Sequence, residues 1–550
     1  GVVVALVAAG LPLVWYLLGW AGSASGMRIK SQLLVQLAFL PLYFLAGFAL
    51  TAALRPVFRN LVRLRGRRIW ALARLSVMEA LRSRILWAFA ALLLVFLFAS
   101  WFLPYKPEDQ VRNYVEVVYI GMTVLLVLPA TMLAAFSIPG DLRRQTIHTI
   151  VTKPVERFEI VLGRFLGYTL LMTAVLAVMS LLSLIYVNRN IGEEAREESL
   201  MARVPVFGSL EVMKPTDVGE EWKYRQYIVG GSSRSKAVFT FPQVPAQLAD
   251  SDQVRCGFTF DVTRTLKDKP SQEGRSMLAS FLFTNARWQP EFATPYENDW
   301  QQAQLRHESQ AETDNRLAEK YGCYKARSVP VKNLHTQFIE IPGALFREAA
   351  SAKPQAGPPL RVEIQFLSYG QYLGMAQRDF FLVAANRSFN LNFFKGALGI
   401  WLRLCLVIGL ALTCGTYLSG VISFLSTMFL YFAGLCLPFI SELVERKNVG
   451  GGPMESILRL SRDSGPVVPL AETPAATLAK AFDQAFSFLL HPFLYFLPDV
   501  GRFTLTEFVA SGFDIPAGML FYHEFLPLVG YLLPWAILAF YLVQSREIAS

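Results

Sequence analysis

Charge is what this sequence has little of. Only 17% of its 550 residues are Asp, Glu, Lys or Arg, and 53% are hydrophobic, whereas ordinary soluble domains are about 25% charged. That balance excludes a water-soluble globular enzyme. Histidine and cysteine are sparse too, five of each. Cys405, Cys414 and Cys436 fall in apolar runs, where a thiol is a packing residue. Cys256 and Cys323 fall in a polar region, where spacing leaves a disulfide and two free thiols both open. No cysteine-histidine cluster has metal-site spacing, so no metal is expected on this chain. Gly230-Gly231-Ser232-Ser233-Arg234-Ser235-Lys236-Ala237 lacks the glycine before lysine and the Ser or Thr after it that a phosphate loop requires, and reads as a turn before a strand. No HExxH, GxSxG or GxGxxG pattern stands in a supporting context. The expectation is a chain that is not an enzyme and binds no cofactor of its own.

What is there is long apolar runs. Eight approach the roughly 20 residues that cross a bilayer as a helix: Gly1–Trp20, Gln32–Leu54, Ile85–Leu103, Asn113–Phe136, Ile160–Val187, Leu391–Thr413, Ser419–Ile440 and Glu524–Val543. Gly1–Trp20 is read as a span and not a signal peptide, because no basic region precedes its apolar core. The net charge of +10 is concentrated, so it reports topology before nucleic-acid affinity, and no nucleic-acid partner is expected. Arg55, Arg59, Arg63, Arg65, Arg67, Arg68, Arg74, Arg82 and Arg84 share one segment with Glu79 its only acid. The positive-inside rule makes that segment cytoplasmic. Counting outward puts both termini and 137–159 in the cytoplasm and 188–390 outside, in a plasma or inner membrane. Within residues 55–84, IWALARLSVMEALRSR reads as an amphipathic interfacial helix, with Ile69, Trp70, Ala73, Val77, Ala80 and Leu81 on its apolar side and Arg74, Ser76, Glu79, Arg82 and Ser83 mostly opposite.

Ser137 to Gly167 is a polar island between two apolar runs. Pro139-Gly140 is expected to break the first run and Asp141 to cap a short helix reaching Thr152, with Pro154 ending it. Leu142, Thr146, Ile147, Ile150 and Val151 share one half of that helix, with Arg143 intruding, and Arg144, Gln145, His148 and Thr149 share the other. Such a helix suits a lipid surface or a groove on a partner. Gly163 and Gly167, four apart in the next span, permit close helix contact. Arg403 lies midway along Leu391–Thr413, a costly place for a charge, and is expected to face protein or water as a pathway or contact residue. Arg164 and Lys395 lie near span ends, where they can snorkel.

Residues 188–390 change character, with balanced charge and short alternating runs. Candidate strands are Val204–Val212, Lys236–Phe241, Val254–Thr265, Met277–Thr284, Thr336–Ile341 and Leu360–Ser368, with Ala286–Tyr324 loop or helix. Many short strands with polar turns suggest a β-sandwich-like domain. A second outside stretch, 441–522, contains apolar Thr477–Phe496, which carries Lys480, Asp483 and His491 and reads as a surface or re-entrant helix. The fold class is therefore an α-helical polytopic membrane protein of about eight spans with an inserted extracytoplasmic β domain.

From Gly140 to Gly167 the sequence resembles permease subunits of ABC-2 type transporters. Their pattern runs from an acidic residue through Thr and an aliphatic, a Pro shortly before an Arg, and a Gly followed by a base; here these are Asp141, Thr146-Ile147, Pro154, Arg157 and Gly163-Arg164. ALARLSVMEALRSRILW is similar to the family's amphipathic elbow, six spans follow it, and SREIAS is similar to the charged tail after the last span. The resemblance covers Ile69–Val187 well and Leu391–Ser550 loosely, and is nearest to permeases labelled for multi-copper enzyme maturation. Two N-terminal spans and the large inserted domain are additions to the family's six-span core. The resemblance implies an exporter subunit working as a homo- or heterodimer with a second permease subunit, each docked to a separate ABC ATPase subunit that binds ATP and Mg. It implies that 141–157 is the coupling helix, with Asp141, Leu142, Arg143, Arg144, Thr146, Ile147, Lys153, Pro154 and Arg157 as its contact residues. The outside domain would then bind cargo, a protein or a glycan. The alternative reading is a non-transporting anchor or mechanical transmitter acting through that domain.

Overall fold

The computed structural model describes residues 55–57, 59, 60, 63–83, 87–89, 91, 92, 95, 110–143, 156–190, 200–213, 225–231, 235–264, 277–351, 360–445, 451–462 and 473–545. The expected spans Gly1–Trp20 and Gln32–Leu54, most of Ile85–Leu103, the residues Arg144, Thr146, Ile147, Lys153 and Pro154, and the tail from Arg546 lie outside the described residues. In chain order the elements are α1 (Gly66–Leu81), α2 (Gln110–Arg143), α3 (Arg157–Asn190), β1 (Met201–Phe207), β2 (Ser209–Met213), β3 (Gln226–Val229), β4 (Lys236–Phe241), β5 (Gln253–Phe258), β6 (Asp261–Arg264) and β7 (Met277–Asn285). Then come α4 (Ala293–Leu305), α5 (Gln310–Tyr321), β8 (Cys323–Val331), β9 (Gln337–Pro342), α6 (Ala344–Ser351), β10 (Leu360–Phe366), β11 (Gln371–Met375) and β12 (Phe380–Ser388). The last group is α7 (Phe389–Tyr417), α8 (Gly420–Leu435), α9 (Leu437–Val444), α10 (Pro453–Ser461), α11 (Pro474–Phe496) and α12 (Leu526–Ser545). These form two compact units, one of Gly1–Arg196, Phe393–Ser511 and Ile515–Ser550, the other of Glu197–Asn392 with Gly512–Asp514.

Among the described residues four helices are long and apolar enough to cross a membrane: Val111–Arg143, Arg157–Arg189, Phe389–Tyr417 and Ala517–Ser545. The expected run Ser419–Ile440 is not one straight helix. α8 and α9 are bent by 61° at their junction. Pro438 stands in the first turn of α9, where it removes the backbone donor that would carry the α8 ladder on without a break. α7 is the most enclosed of the four candidate spans and the last is the least. Thr477–Phe496 lies within α11, which is not among the candidate spans.

The expected break at Pro139-Gly140 does not occur; α2 runs on through both residues to Arg143. A proline inside a helix strips the carbonyl four residues back of its donor. Here that is Ala135, and α7 closes over the gap: a Cβ on Gly415 would stand 3.2 Å from the Ala135 oxygen and 3.7 Å from Pro139 Cδ. A neighbouring helix replaces the solvent into which the chain would otherwise have unwound.

The second unit is built from antiparallel sheets, a four-stranded one in the order β1-β12-β5-β9, a five-stranded one in the order β2-β4-β10-β7-β8, and a small third, β3-β11-β6. β10 reads LRVEIQF and alternates buried with half-buried residues along its length, the period of a sheet with one covered face. That face meets the four-stranded sheet through rings: Phe239 and Phe281 on one side lie 4.8 and 6.3 Å from Phe380 on the other, and Phe258 lies 5.1 Å from Phe281. All four are fully buried. Pro205 sits at the register shift in β1, an edge strand, where a missing donor is tolerated.

β3, β8, β11 and β12 were not expected from the sequence. Val204–Val212 divides at Gly208 into β1 and β2, and Val254–Thr265 divides into β5 and β6. Ala286–Tyr324 resolves into α4 and α5, which bury Tyr296, Leu317 and Tyr321 with Cys323 in a second small core. α5 stops at Gly322, whose φ of +68° is a left-handed cap that favours glycine. Cys256 and Cys323 are free thiols. Burial raises both, Cys323 to about 12, so neither carries thiolate character at neutral pH.

Candidate functional site

The residues on which the sequence reading turned, Asp141 and its neighbours, lie in the first unit where α1, α2 and α3 come together. Glu159 begins the construction. It is fully buried in the first turn of α3, and its carboxylate accepts the Glu156 N–H at 3.1 Å and the Arg65 N–H at 2.9 Å. Arg65 is the residue that opens α1. One carboxylate therefore caps the starts of two helices, satisfying donors that lack intrahelical partners. Arg68 stands 3.8 Å from the oxygen that accepts the Glu156 N–H.

One turn on, α3 presents Gly163 and Gly167 to α1. A Cβ on Gly167 would stand 2.6 Å from the Ala73 oxygen and 2.8 Å from Ser76 Cβ, and one on Gly163 would stand 3.2 Å from the Ile69 oxygen. α1 answers with small residues, burying Ala73, Ser76 and Ala80. Its large residues Trp70, Met78 and Leu81 stay exposed. Ser76, expected on the polar side, is buried against Gly167, whereas Trp70 and Leu81 of the expected apolar side are exposed. Gly167→Val is expected to push α1 away at a cost of about 1–3 kcal/mol, read as a lower unfolding midpoint of the purified chain. An unchanged midpoint would mean that this contact does not hold α1.

Between the glycines stands Arg164, and it does not snorkel. It is buried, with side-chain exposure of 5%. Its guanidinium donates to Asp141 Oδ2, to Glu79 Oε2 at 3.3 Å and to the Tyr168 hydroxyl at 2.9 Å. Asp141 is thus no helix cap; it lies in the last turn of α2, nearly as buried as its partner. Residues of α1, α2 and α3 meet on one planar cation, whose forked donors serve several acceptors at once. Leu142 is half-buried and Arg143 exposed. Arg157 donates to the Gln544 carbonyl at 3.4 Å, and Phe158 meets Phe540 edge to face at 5.4 Å, so the end of α12 packs beside the start of α3.

Arg403 belongs to a different place. It is buried in the middle of α7, where it donates to the Thr504 hydroxyl and has Tyr431 of α8 within electrostatic reach. Lys395 does not reach away from the protein; it donates to the Ile515 carbonyl at 2.8 Å. Sequence reasoning missed Glu79 and Tyr168 as partners of Arg164, Glu159 as a double cap, and Glu524 altogether. A signal existed for Glu159, an acid three residues after the residue that opens an apolar helix. None existed for the others, whose partners are remote in sequence. Among the described residues no group of three or more His, Cys, Asp or Glu side chains is placed to hold a metal ion. No family model matches the chain, and no curated protein or solved structure matches it.

Proposed function

We propose that this chain is the permease subunit of an ABC exporter of the ABC-2 type, driven by a separate ATP-hydrolysing subunit. One observation carries the reading. Asp141 and Arg164, the acid and the base at the two ends of the motif on which the resemblance rests, form a buried ion pair that also holds Glu79 of the elbow-like helix α1. In this reading the polar segment from Asp141 to Arg157 docks in a groove of the ATPase subunit. Its ends are fastened to α1, α2 and α3, so displacement of the segment moves the helices together. Nucleotide and Mg reside on the partner, the permease pairs with a second permease subunit, and the polar segment lies on the cytoplasmic side of a plasma or inner membrane. The β unit lies outside and binds cargo, a protein or a glycan. Its separate core favours a second reading, in which the same scaffold transmits force to an envelope component and moves no solute.

The test is a pull-down of the affinity-tagged chain from native membrane, followed by an ATPase assay. A stoichiometric ATP-hydrolysing subunit is expected. Arg144→Glu with Arg157→Glu is expected to weaken its retention at least about tenfold, as the loss of interfacial charge pairs does. Recovery of the chain without an ATPase, or retention indifferent to both reversals, would remove the assignment.

A further inference from the structure

The last candidate span opens on Leu520–Phe525, six residues of wider π-helical winding. Such a turn shifts which residues face inward, and is frequent at functional positions. Here it sorts the sequence LFYHEFL sharply. Phe521, Tyr522, His523, Phe525 and Leu526 are all exposed, and Glu524 between them is 1% exposed. The apolar and aromatic side chains face outward, as in a membrane-facing belt, and the acid is turned into the protein.

Inside, Glu524 has neighbours and no partner. Its Oε2 has no hydrogen-bond donor, and the Nε of Arg403 has no acceptor. The charged groups within electrostatic reach of Glu524 are Arg502, Arg403 and Asp499. None of the described cations comes within ion-pair distance of it. Arg403 is held by the Thr504 hydroxyl. Arg502 is held by the His523 carbonyl through its Nε at 2.8 Å, and its backbone N–H by Asp499 at 3.1 Å. Arg502 is exposed and Asp499 half-buried, so the surroundings of Glu524 include groups in contact with water.

An ionised carboxylate oxygen that is buried and unpaired is among the costliest arrangements in a protein. A proton on Oε2 removes that cost. A metal ion suits the place badly, since two guanidinium groups flank a single buried carboxyl. The ligand that fits is the smallest one. We propose that Glu524 is a proton-exchanging site of the membrane unit, taking a proton onto Oε2 from the Asp499–Arg502 side and returning it there, with Arg403 as the fixed charge behind it. Carboxylate plus proton gives the neutral acid, and no other group is consumed. With the proton on, the Arg403 charge is not balanced by Glu524; with it off, the two charges balance. Glu524 thereby sets the field in the enclosed part of the unit according to the pH of the compartment that Asp499 and Arg502 face. This inference rests on the burial of Glu524 and not on the permease assignment.

Dicyclohexylcarbodiimide tests it on the full chain in lipid nanodiscs. The reagent is apolar and attacks a carboxyl only in its protonated form. The acid adds across one C=N bond and rearranges to an N-acylurea that keeps every atom of the reagent, so peptide mass spectrometry locates the adduct. The expected result is an adduct on Glu524 that is absent from Glu524→Gln and whose rate falls about tenfold per pH unit above its midpoint, as one proton requires. Arg403→Gln removes a cation from beside the carboxyl and is expected to extend labelling to higher pH. Should that variant not fold, Arg502→Gln at the exposed rim is expected to shift the profile the same way by less. The infrared band of a protonated carboxyl, identified by its loss in Glu524→Gln, gives the same titration without dependence on reagent access. Labelling and band that do not change with pH would overturn the proposal, and so would the absence of both.

Discussion

Arg164→Leu is expected to destabilise the membrane unit by on the order of 3–5 kcal/mol, the cost of leaving one half of a buried ion pair behind. The half left behind is Asp141, whose side chain is 10% exposed. Glu79 contributes less, because its side chain is 46% exposed and water can replace the lost contact. The same argument gives an internal control. Asp141→Leu placed on top of Arg164→Leu removes the stranded charge and is expected to recover much of the loss, although either change alone is harmful. Arg112 and Glu116 form an exposed pair one turn apart on α2, and Arg112→Ala is expected to cost less than about 0.5 kcal/mol. Thermal unfolding of the four variants in detergent, with their accumulation in the membrane, measures the set. An Arg164→Leu chain as stable as the parent would show that α1, α2 and α3 are held by apolar packing alone.

Phe380→Ala is expected to cost a similar amount, about 3–5 kcal/mol, in the other unit. The ring is fully buried. It stands in β12 of the four-stranded sheet, and its centroid lies 4.8, 6.1, 6.3 and 6.4 Å from Phe239, Phe241, Phe281 and Phe283 of the five-stranded one. Removing it opens a cavity at the place where the two sheets meet, which no single neighbour can fill. Set against a typical domain stability of about 5–15 kcal/mol, the loss is large enough to expose the unit to protease. Limited proteolysis is expected to cut Phe380→Ala between residues 200 and 388 under conditions that spare the parent. Tyr369, 83% exposed, is the control: Tyr369→Ala is expected to stay within about 0.5 kcal/mol. Equal protease resistance of the two variants would mean that the inter-sheet rings are not what holds the unit closed.

How much of this was legible beforehand varies with the range of the interaction. The four candidate spans coincide with expected runs because a stretch of apolar residues long enough to cross a bilayer needs no partner to be recognised. Lys236–Phe241 was located to the residue, since KAVFTF between turn residues has little other use. β12 was missed although it is central to its sheet. FFLVAANRS is buried along its first four residues, so it lacks the alternation that marks a half-buried strand, and it runs without a turn into α7. Pro139-Gly140 misled for the converse reason. The local rule that proline ends a helix is sound for a chain facing water, and α7 packed over the defect removes its premise.

Charged residues show the same division most clearly. That Arg403 must be sheltered followed from its place in an apolar run, because an arginine there is costly without a partner. Which group shelters it, Thr504, depends on a segment about a hundred residues away. Arg164 carried no such mark; near the end of a span, a long cationic side chain can equally reach water, and nothing local chooses between snorkelling and burial. Asp141, 23 residues earlier, and Glu79, 85 residues earlier, make that choice. By itself, then, the sequence determined a membrane-embedded helical chain with a separate β region, since hydrophobic length and strand alternation are properties of consecutive residues. Only the tertiary structure decided which buried charges meet and which, like Glu524, do not, because Coulomb and hydrogen-bond partners are set by distance in space.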